Sequence, residues 1–380
     1  MPERRPPGVH IGETPSGPRP MPPVGTTVAG FVGPAPAGPV EVTPGRATSL
    51  AEFERVYGDS QPLVWGGAPR TNHLWHAARA FFAEGGRELR VARVCRPAVD
   101  EYARALGALE TVEDIAIVAA PGASDPFDDV ARAVQELLLA HAERMRYRFA
   151  VLDSGPGMRL AEIRQQRSLV DSAHGALYYP WVRVADPRTG APVDLPPSGF
   201  VAGIYARVDI ARGVWHAPAD AAVTLATGLE RPLAAGQQEA LKPEGIYCIR
   251  FVPGRGYRVW GARTVSADPD WTYVNVRRYL SYLERSIDRG TQWVVFEPNG
   301  EPLWAGVRQS VEEFLVSEWR KGALAGDRPD RAFFVACDRT TMTQDDLERG
   351  RLVCQVGVAP VRPAEFVIFR IGQWTGDAKQ

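Results

Sequence analysis

The 380-residue sequence has three lysines, Lys242, Lys321 and Lys379, so 41 of its 44 basic residues are arginine. Arginine suits fixed, forked ion pairs at interfaces, although codon bias gives the same count. Net charge is −1, so no electrostatic footprint points to nucleic acid or an anionic membrane. Cys95, Cys248, Cys337 and Cys354 are scattered, with no CxxC. They read as reduced core thiols of a protein made in the cytoplasm. No apolar run approaches the ~18 residues of a membrane span. Met1–Pro7 carries arginines but no apolar h-region, so it is not read as a secretory signal. No Gly-Lys pair occurs, which excludes a GxxxxGK[ST] phosphate loop, and GxSxG is also missing.

What remains is an ordinary globular composition, 45% apolar and 23% charged, long enough for two or three domains. Thr26–Gly33 reads as a strand. Ser49 caps a short helix through Tyr57, with Glu52 three residues on. His73–Ala83 is a second helix and Glu88–Val94 a strand. Asp114–Ala119 and Tyr147–Leu152 are buried strands, with helices at Asp128–Arg146 and Leu160–Val170. Ala176–Val184 is a third, with Pro180 arguing for an edge or a bulge. Strand–helix alternation of this kind predicts mixed α/β sheets flanked by helices. Gly199–Ile210 reads as helix; Ala211–Pro253 is harder to read, mixing turns with short apolar pieces such as Ile246–Val252, and Tyr257–Arg263 reads as a strand.

Beyond Asn275 the periodicity sharpens. Val276, Tyr279, Leu280, Leu283 and Ile287 give an amphipathic helix that Gly290 stops. Gln292–Glu297 reads as a strand, Trp304–Lys321 as a helix and Arg331–Ala336 as a strand. Thr343 caps a short helix ending at Gly350. Leu352, Cys354, Val356 and Val358 then alternate with the period of a strand. After Pro360 and Pro363, Ala364–Ile371 is nearly continuously apolar. Such a strand cannot be left as a bare edge and must pair with something. At the other end, Gly8–Glu13 is strand-like and Thr14–Pro23 is a Pro-rich spacer of roughly 30 Å at ~3.1 Å per residue. A strand on a spacer reads as an arm that adds to another sheet; a disordered tail is the alternative.

Chemistry is sparse. Asp153-Ser154-Gly155 sits where an α/β enzyme places residues, but a turn explains it equally. A hydrolase-like site near Asp153 and Ser154 is therefore the enzyme alternative. It predicts a pocket at the C-terminal ends of Asp114–Ala119 and Tyr147–Leu152. His73 and His76 are three apart on a helix, yet no third ligand is evident and a helix surface or interface explains them better. The tryptophans Trp181, Trp215, Trp260, Trp271, Trp293 and Trp304 read as core. No cofactor or metal is expected.

Four collinear phrases resemble one family, the contractile tail sheath proteins of phages and phage-like injection systems. They are PGVHIGETPSGPRPMPPVGTTVAGFVGPAPAGP, ALYYPWVRVADPRTG with DLPPSGFVAGIYARVDIARGVWHAPA, WTYVNVRRYLSYLERSIDRGTQWVVFEPN and GRLVCQVGVAPVRPAEFVIFRI. Residues 220–256 match nothing specific. The resemblance implies a non-enzymatic subunit that polymerises as stacked hexameric rings around an inner tube protein. Contraction would drive the tube through a target envelope. Baseplate and terminator or cap proteins would be its other partners, with no nucleic acid and no membrane insertion. Assembly would be in the bacterial cytoplasm, as part of a phage tail or a phage-like particle that can be released. The implied domains are a strand arm and linker (1–25), an outer α/β domain (26–265), a C-terminal domain (266–363) and a strand arm (364–380). Strand exchange between subunits would use Val9, His10, Ile11, Gly12 and Glu13, and Phe366, Val367, Ile368, Phe369, Arg370 and Ile371. Leu352, Cys354, Val356 and Val358 would form the acceptor hairpin. The spacer Thr14–Pro23 would let subunits rotate. Arg308, Glu312, Glu313, Arg320 and Lys321, read as exposed, would face the tube. A non-contractile shell shares the arms but predicts a single lattice.

Overall fold

A computed structural model describes residues 19–40, 44–65 and 67–363. The strands expected at 9–13 and 366–371 lie outside the described residues. Packing divides the chain into two compact units. The larger holds Val24–Glu284 with Val361–Gln380; the smaller holds Met1–Pro23 with Arg285–Pro360. The division falls inside the helix Val274–Gly290.

The larger unit is built on a nine-stranded sheet. Its six parallel strands run Ile246–Val252, Gly175–Tyr179, Phe149–Asp153, Ile117–Ala119, Ala29–Pro34 and Leu89–Val94. Gly256–Trp260 and Ala221–Ala222 extend one side antiparallel, and Gly45–Ala47 the other. Successive side chains feed opposite cores. Phe149 and Val151 join Phe31, Val91 and Tyr178 on one face; Ala150 and Leu152 join Val32, Val118 and Leu177 on the other. Burial on both faces is why these strands read as continuous apolar runs. Helices His73–Ala83 and Ser198–Arg212 cover the first face, and they meet closely. A Cβ at Gly199 would lie 2.6 Å from Ala77 Cα, and one at Gly203 2.5 Å from the Phe81 carbonyl.

Several expectations need correction. The strand over Ala176–Val184 ends at Tyr179, because Pro180 has no N–H to continue a ladder. Val182–Ala185 joins a separate three-stranded sheet with Pro192–Leu195 and Gly228–Leu229. Gln292–Glu297 is no strand: Gln292–Val294 is a 3-10 turn, and Phe296 takes φ 72° and is fully exposed. Gln292 Nε2 donates to the Asp288 carbonyl, tying this segment to the preceding helix. Arg331–Ala336 begins as a helical turn, Pro329–Ala332, and is extended only from Phe333. The helix Val99–Glu110, with Tyr102, Leu106 and Leu109 buried, was missed altogether. Cys95 is exposed rather than core. Of the six tryptophans named above, Trp181 and Trp304 are buried, while arginines cover three half-buried ones. Arg250 lies over Trp260, Arg277 over Trp271 and Arg19 over Trp293.

Candidate assembly interface

The smaller unit carries a two-stranded antiparallel sheet, Phe333–Ala336 with Gln355–Val358. Phe333 opposes Val358 and Ala336 opposes Gln355. The Ala359 N–H donates to the Ala332 carbonyl at 2.9 Å, so 332/359 is a hydrogen-bonded pair of the same register. Alternation then makes Phe334/Gly357 and Ala336/Gln355 hydrogen-bonded pairs. The backbone N–H and C=O groups of Val335, Val356 and Val358 therefore point away from the partner strand. Among the described residues no third strand joins either edge. Two short strands are marginal alone, and bare edges invite pairing.

Val356 and Val358 lie on this strand as expected, but Leu352 and Cys354 precede it. Gly357 was not singled out, yet the pair depends on it. A Cβ there would sit 2.1 Å from Phe334 Cε1, so the ring lies across the glycine. Phe334 itself remains largely exposed.

The helix Glu301–Arg320 buries Trp304, Val307, Val311, Phe314 and Leu315. Glu313, Arg320 and Lys321 are exposed, but Arg308 and Glu312 are half-buried, contrary to the reading of all five as exposed. Lys321 Nζ pairs with the buried Glu318 at 2.6 Å. The spacer expected to swing freely is anchored at its end. The Arg19 N–H donates to Ser310 Oγ at 3.2 Å, the Arg19 guanidinium lies 4.5 Å from the Trp293 ring, and Met21 is buried.

In the larger unit, the Asp153 and Ser154 side chains are buried; Asp153 is committed to the fold, whereas Ser154 Oγ has no hydrogen-bond partner among the described residues. Asp153 Oδ1 accepts from the Ser198 N–H and Oδ2 from Ser198 Oγ, both at 2.7 Å, at the start of the Ser198–Arg212 helix. The Asp153 carbonyl accepts from Gln135 and Gln166, and the Ser154 carbonyl from Trp181. The space beside Asp153 is about 10 Å³, too small for a substrate. His73 and His76 are buried, not on a helix surface. His73 Nε2 lies 3.1 Å from Asp125 Oδ2, and burial pushes the His76 imidazole down to about 4. Among the described residues no cluster of His, Cys, Asp or Glu has a metal-binding arrangement, and no helix is long and apolar enough to cross a membrane.

Burial pushes the Asp153 carboxyl up to about 7, against the two Ser198 hydrogen bonds. The unfolded carboxyl titrates near ~3.9, so the folded state holds the extra proton between those values. Stability from this group is fully present at low pH and declines as pH rises towards 7, by up to about 4 kcal/mol. Asp153→Asn keeps an acceptor for the Ser198 N–H and never ionises. Urea midpoints should show little gain near pH 3 and a gain that grows to pH 7 and then levels. A pH-independent difference would contradict an Asp153 titration in this range.

Residues 97–265 match the phage tail sheath protein central domain, and residues 266–373 the phage tail sheath C-terminal domain. The chain resembles the helical sheath of the anti-feeding prophage in its contracted state, with 33% identity and TM-score 0.81 over 97% of this chain and 99% of that one. It also resembles the contracted PVC sheath complex of an extracellular contractile injection system, at 29% identity and TM-score 0.81 over 100% and 99%. A prophage major tail sheath protein of Pseudomonas aeruginosa (strain UCBPP-PA14) is 26% identical over 267 residues, covering 68% of this chain and 65% of that protein. With two contiguous domain matches spanning most of its length and an α/β architecture shared with solved sheaths, this chain belongs to the contractile phage tail sheath family.

Proposed function

We propose that this chain is the structural subunit of a contractile sheath. It polymerises as stacked hexameric rings around an inner tube protein, and its contraction drives the tube through a target envelope. The observation that carries the reading is the two-stranded sheet with outward-facing backbone groups on both edges, in a chain similar end to end to subunits of helical sheaths. Strands at 9–13 and 366–371, from neighbouring subunits, would complete that sheet. Each added strand contributes several backbone hydrogen bonds at about 0.5–1.5 kcal/mol net, repeated along the polymer. Glu313, Arg320 and Lys321, with the half-buried Arg308 and Glu312, are the candidate tube-facing set. Baseplate and terminator proteins would close the two ends. Assembly would be cytoplasmic, within a phage tail or a releasable phage-like particle. Contraction moves rigid units between two packings and consumes no nucleotide.

Electron microscopy of the full chain beside a chain lacking Met1–Pro18 tests this. That deletion spares Arg19 and Met21, which anchor to the smaller unit. The full chain should give hollow striated cylinders, and the shortened chain only small, folded particles. Equal small oligomers from both would overturn the strand-linked sheath.

A further inference from the structure

Cys337 and Cys354 lie one step beyond the last ladder pair, Ala336/Gln355, and the same register sets them directly opposite. The next step, Asp338 opposite Val353, is spliced by a hydroxyl. The Asp338 N–H donates to Thr341 Oγ1 at 3.3 Å, and Thr341 Oγ1 donates to the Val353 carbonyl at 2.7 Å. The strands therefore stay in register through the cysteine pair. By the alternation established at Ala332/Ala359, this is a non-hydrogen-bonded position, where opposed Cα atoms approach to about 4.5 Å. That lies within the range of about 4.4–6.8 Å that a disulfide spans. Both thiols are unbridged.

We propose that Cys337 and Cys354 form a reversible disulfide that staples the open end of this strand pair, with a small-molecule disulfide as oxidant. Cys354 is the half-buried, reachable member, and Cys337 is almost fully enclosed. The neighbouring Cys337 thiol holds the Cys354 thiol below its ordinary range, and that of Cys337 is raised in turn. Cys354 thiolate attacks one sulfur of oxidised glutathione, forming a mixed disulfide and releasing one glutathione thiolate. Cys337 sulfur then attacks the Cys354 sulfur of that mixed disulfide, its proton passing to the second departing glutathione. Two thiols are oxidised and one glutathione disulfide is reduced to two glutathiones. The outward N–H groups of Val335, Val356 and Val358 are untouched, so the stapled pair still offers both edges. The disulfide stands independently of the sheath assignment; its consequence, a reinforced acceptor in particles that meet an oxidising medium, rests on it.

The test uses the full chain in glutathione redox buffers of graded potential, read by thiol titration and peptide mass mapping. The expected product carries no glutathione on Cys337 or Cys354 and yields a linked Cys337–Cys354 peptide pair, whatever the state of the exposed Cys95. Its thermal midpoint is several degrees above that of the reduced chain. Cys337→Ser should stop at a glutathione adduct on Cys354, and Cys354→Ser should form no internal bridge. Four persistent thiols, or a stable glutathione adduct on Cys354 of the unsubstituted chain, would overturn the proposal. Electron microscopy of the reduced and oxidised chains separates the two readings. Absence of cylinders in both states counts against the sheath and leaves the disulfide standing.

Discussion

Replacing Val356 by proline is expected to leave a folded subunit that forms no cylinders. Val356 opposes Val335 at a non-hydrogen-bonded position, so its N–H points out of the strand pair. Proline there removes no bond of the existing ladder, and edge strands tolerate it. It does remove a donor for an incoming strand, and its ring occupies the place of the incoming carbonyl. A single lost hydrogen bond is worth about 0.5–1.5 kcal/mol. Steric exclusion adds to that loss, and each ~1.4 kcal/mol is tenfold in affinity. The threshold concentration for assembly should rise on the order of tenfold or more. Sedimentation and electron microscopy across a concentration series read this directly, with circular dichroism melting to establish that the subunit folds.

Two companions sharpen the result. Val356→Ala keeps the N–H and should still assemble. Gly357→Pro strikes an inward-facing donor, and any side chain at this position also collides with Phe334, so the smaller unit itself should lose stability. If Val356→Pro gives cylinders at the concentration that suffices for the unsubstituted chain, that edge does not accept a strand.

The parts of this fold that were legible share one property: a strand or helix whose burial follows its own period. Phe149–Asp153 announces itself as an apolar run, and Ser49 and Thr343 as caps that do accept from the backbone N–H groups of Glu52 and Asp346. What was not legible depended on neighbours distant in sequence. Asp153 sits where an α/β enzyme places residues, and only the fold brings Ser198 to it from 45 residues away. The alternation from Leu352 to Val358 suggested a longer strand than the one found, because Phe333–Ala336 supplies only four residues to pair with. The cysteine pair was equally invisible, since nothing in the spacing of 337 and 354 fixes a strand register. The helix Val274–Gly290 misled in the most instructive way. Its period selected Leu280 and Ile287 for the core, yet both are half-buried while Arg277, Arg278 and Arg285 are buried. A pattern of apolar residues locates one buried face; it gives no warning that a polar face is buried as well.

Arg278 shows why that matters energetically. Its Nη1 lies 3.0 Å from Asp209 Oδ1 and its Nη2 2.6 Å from Oδ2, a forked pair with both side chains almost fully enclosed. Thr26 Oγ1 donates to Asp209 Oδ2 at 2.6 Å, and Arg278 Nη2 donates to the Thr26 carbonyl at 3.2 Å. The guanidinium also lies 4.6 Å from the Tyr205 ring centroid. Burial pushes the Asp209 carboxyl up, against the pull of Arg278, so the carboxylate depends on its partner for its charge. Arg278→Ala strands that carboxyl in the interior and should cost about 3–5 kcal/mol, one of the larger losses a single substitution can cause. The double variant Arg278→Met with Asp209→Leu removes both charges and should lose distinctly less, because desolvation of the pair is then no longer required. Urea denaturation of the shortened, non-assembling chain measures both without interference from polymer. A loss below about 1 kcal/mol for Arg278→Ala would mean that water reaches Asp209 and that the pair behaves as a surface ion pair. A double variant worse than the single one would mean that the bonds to Thr26, rather than the charges, hold this junction together.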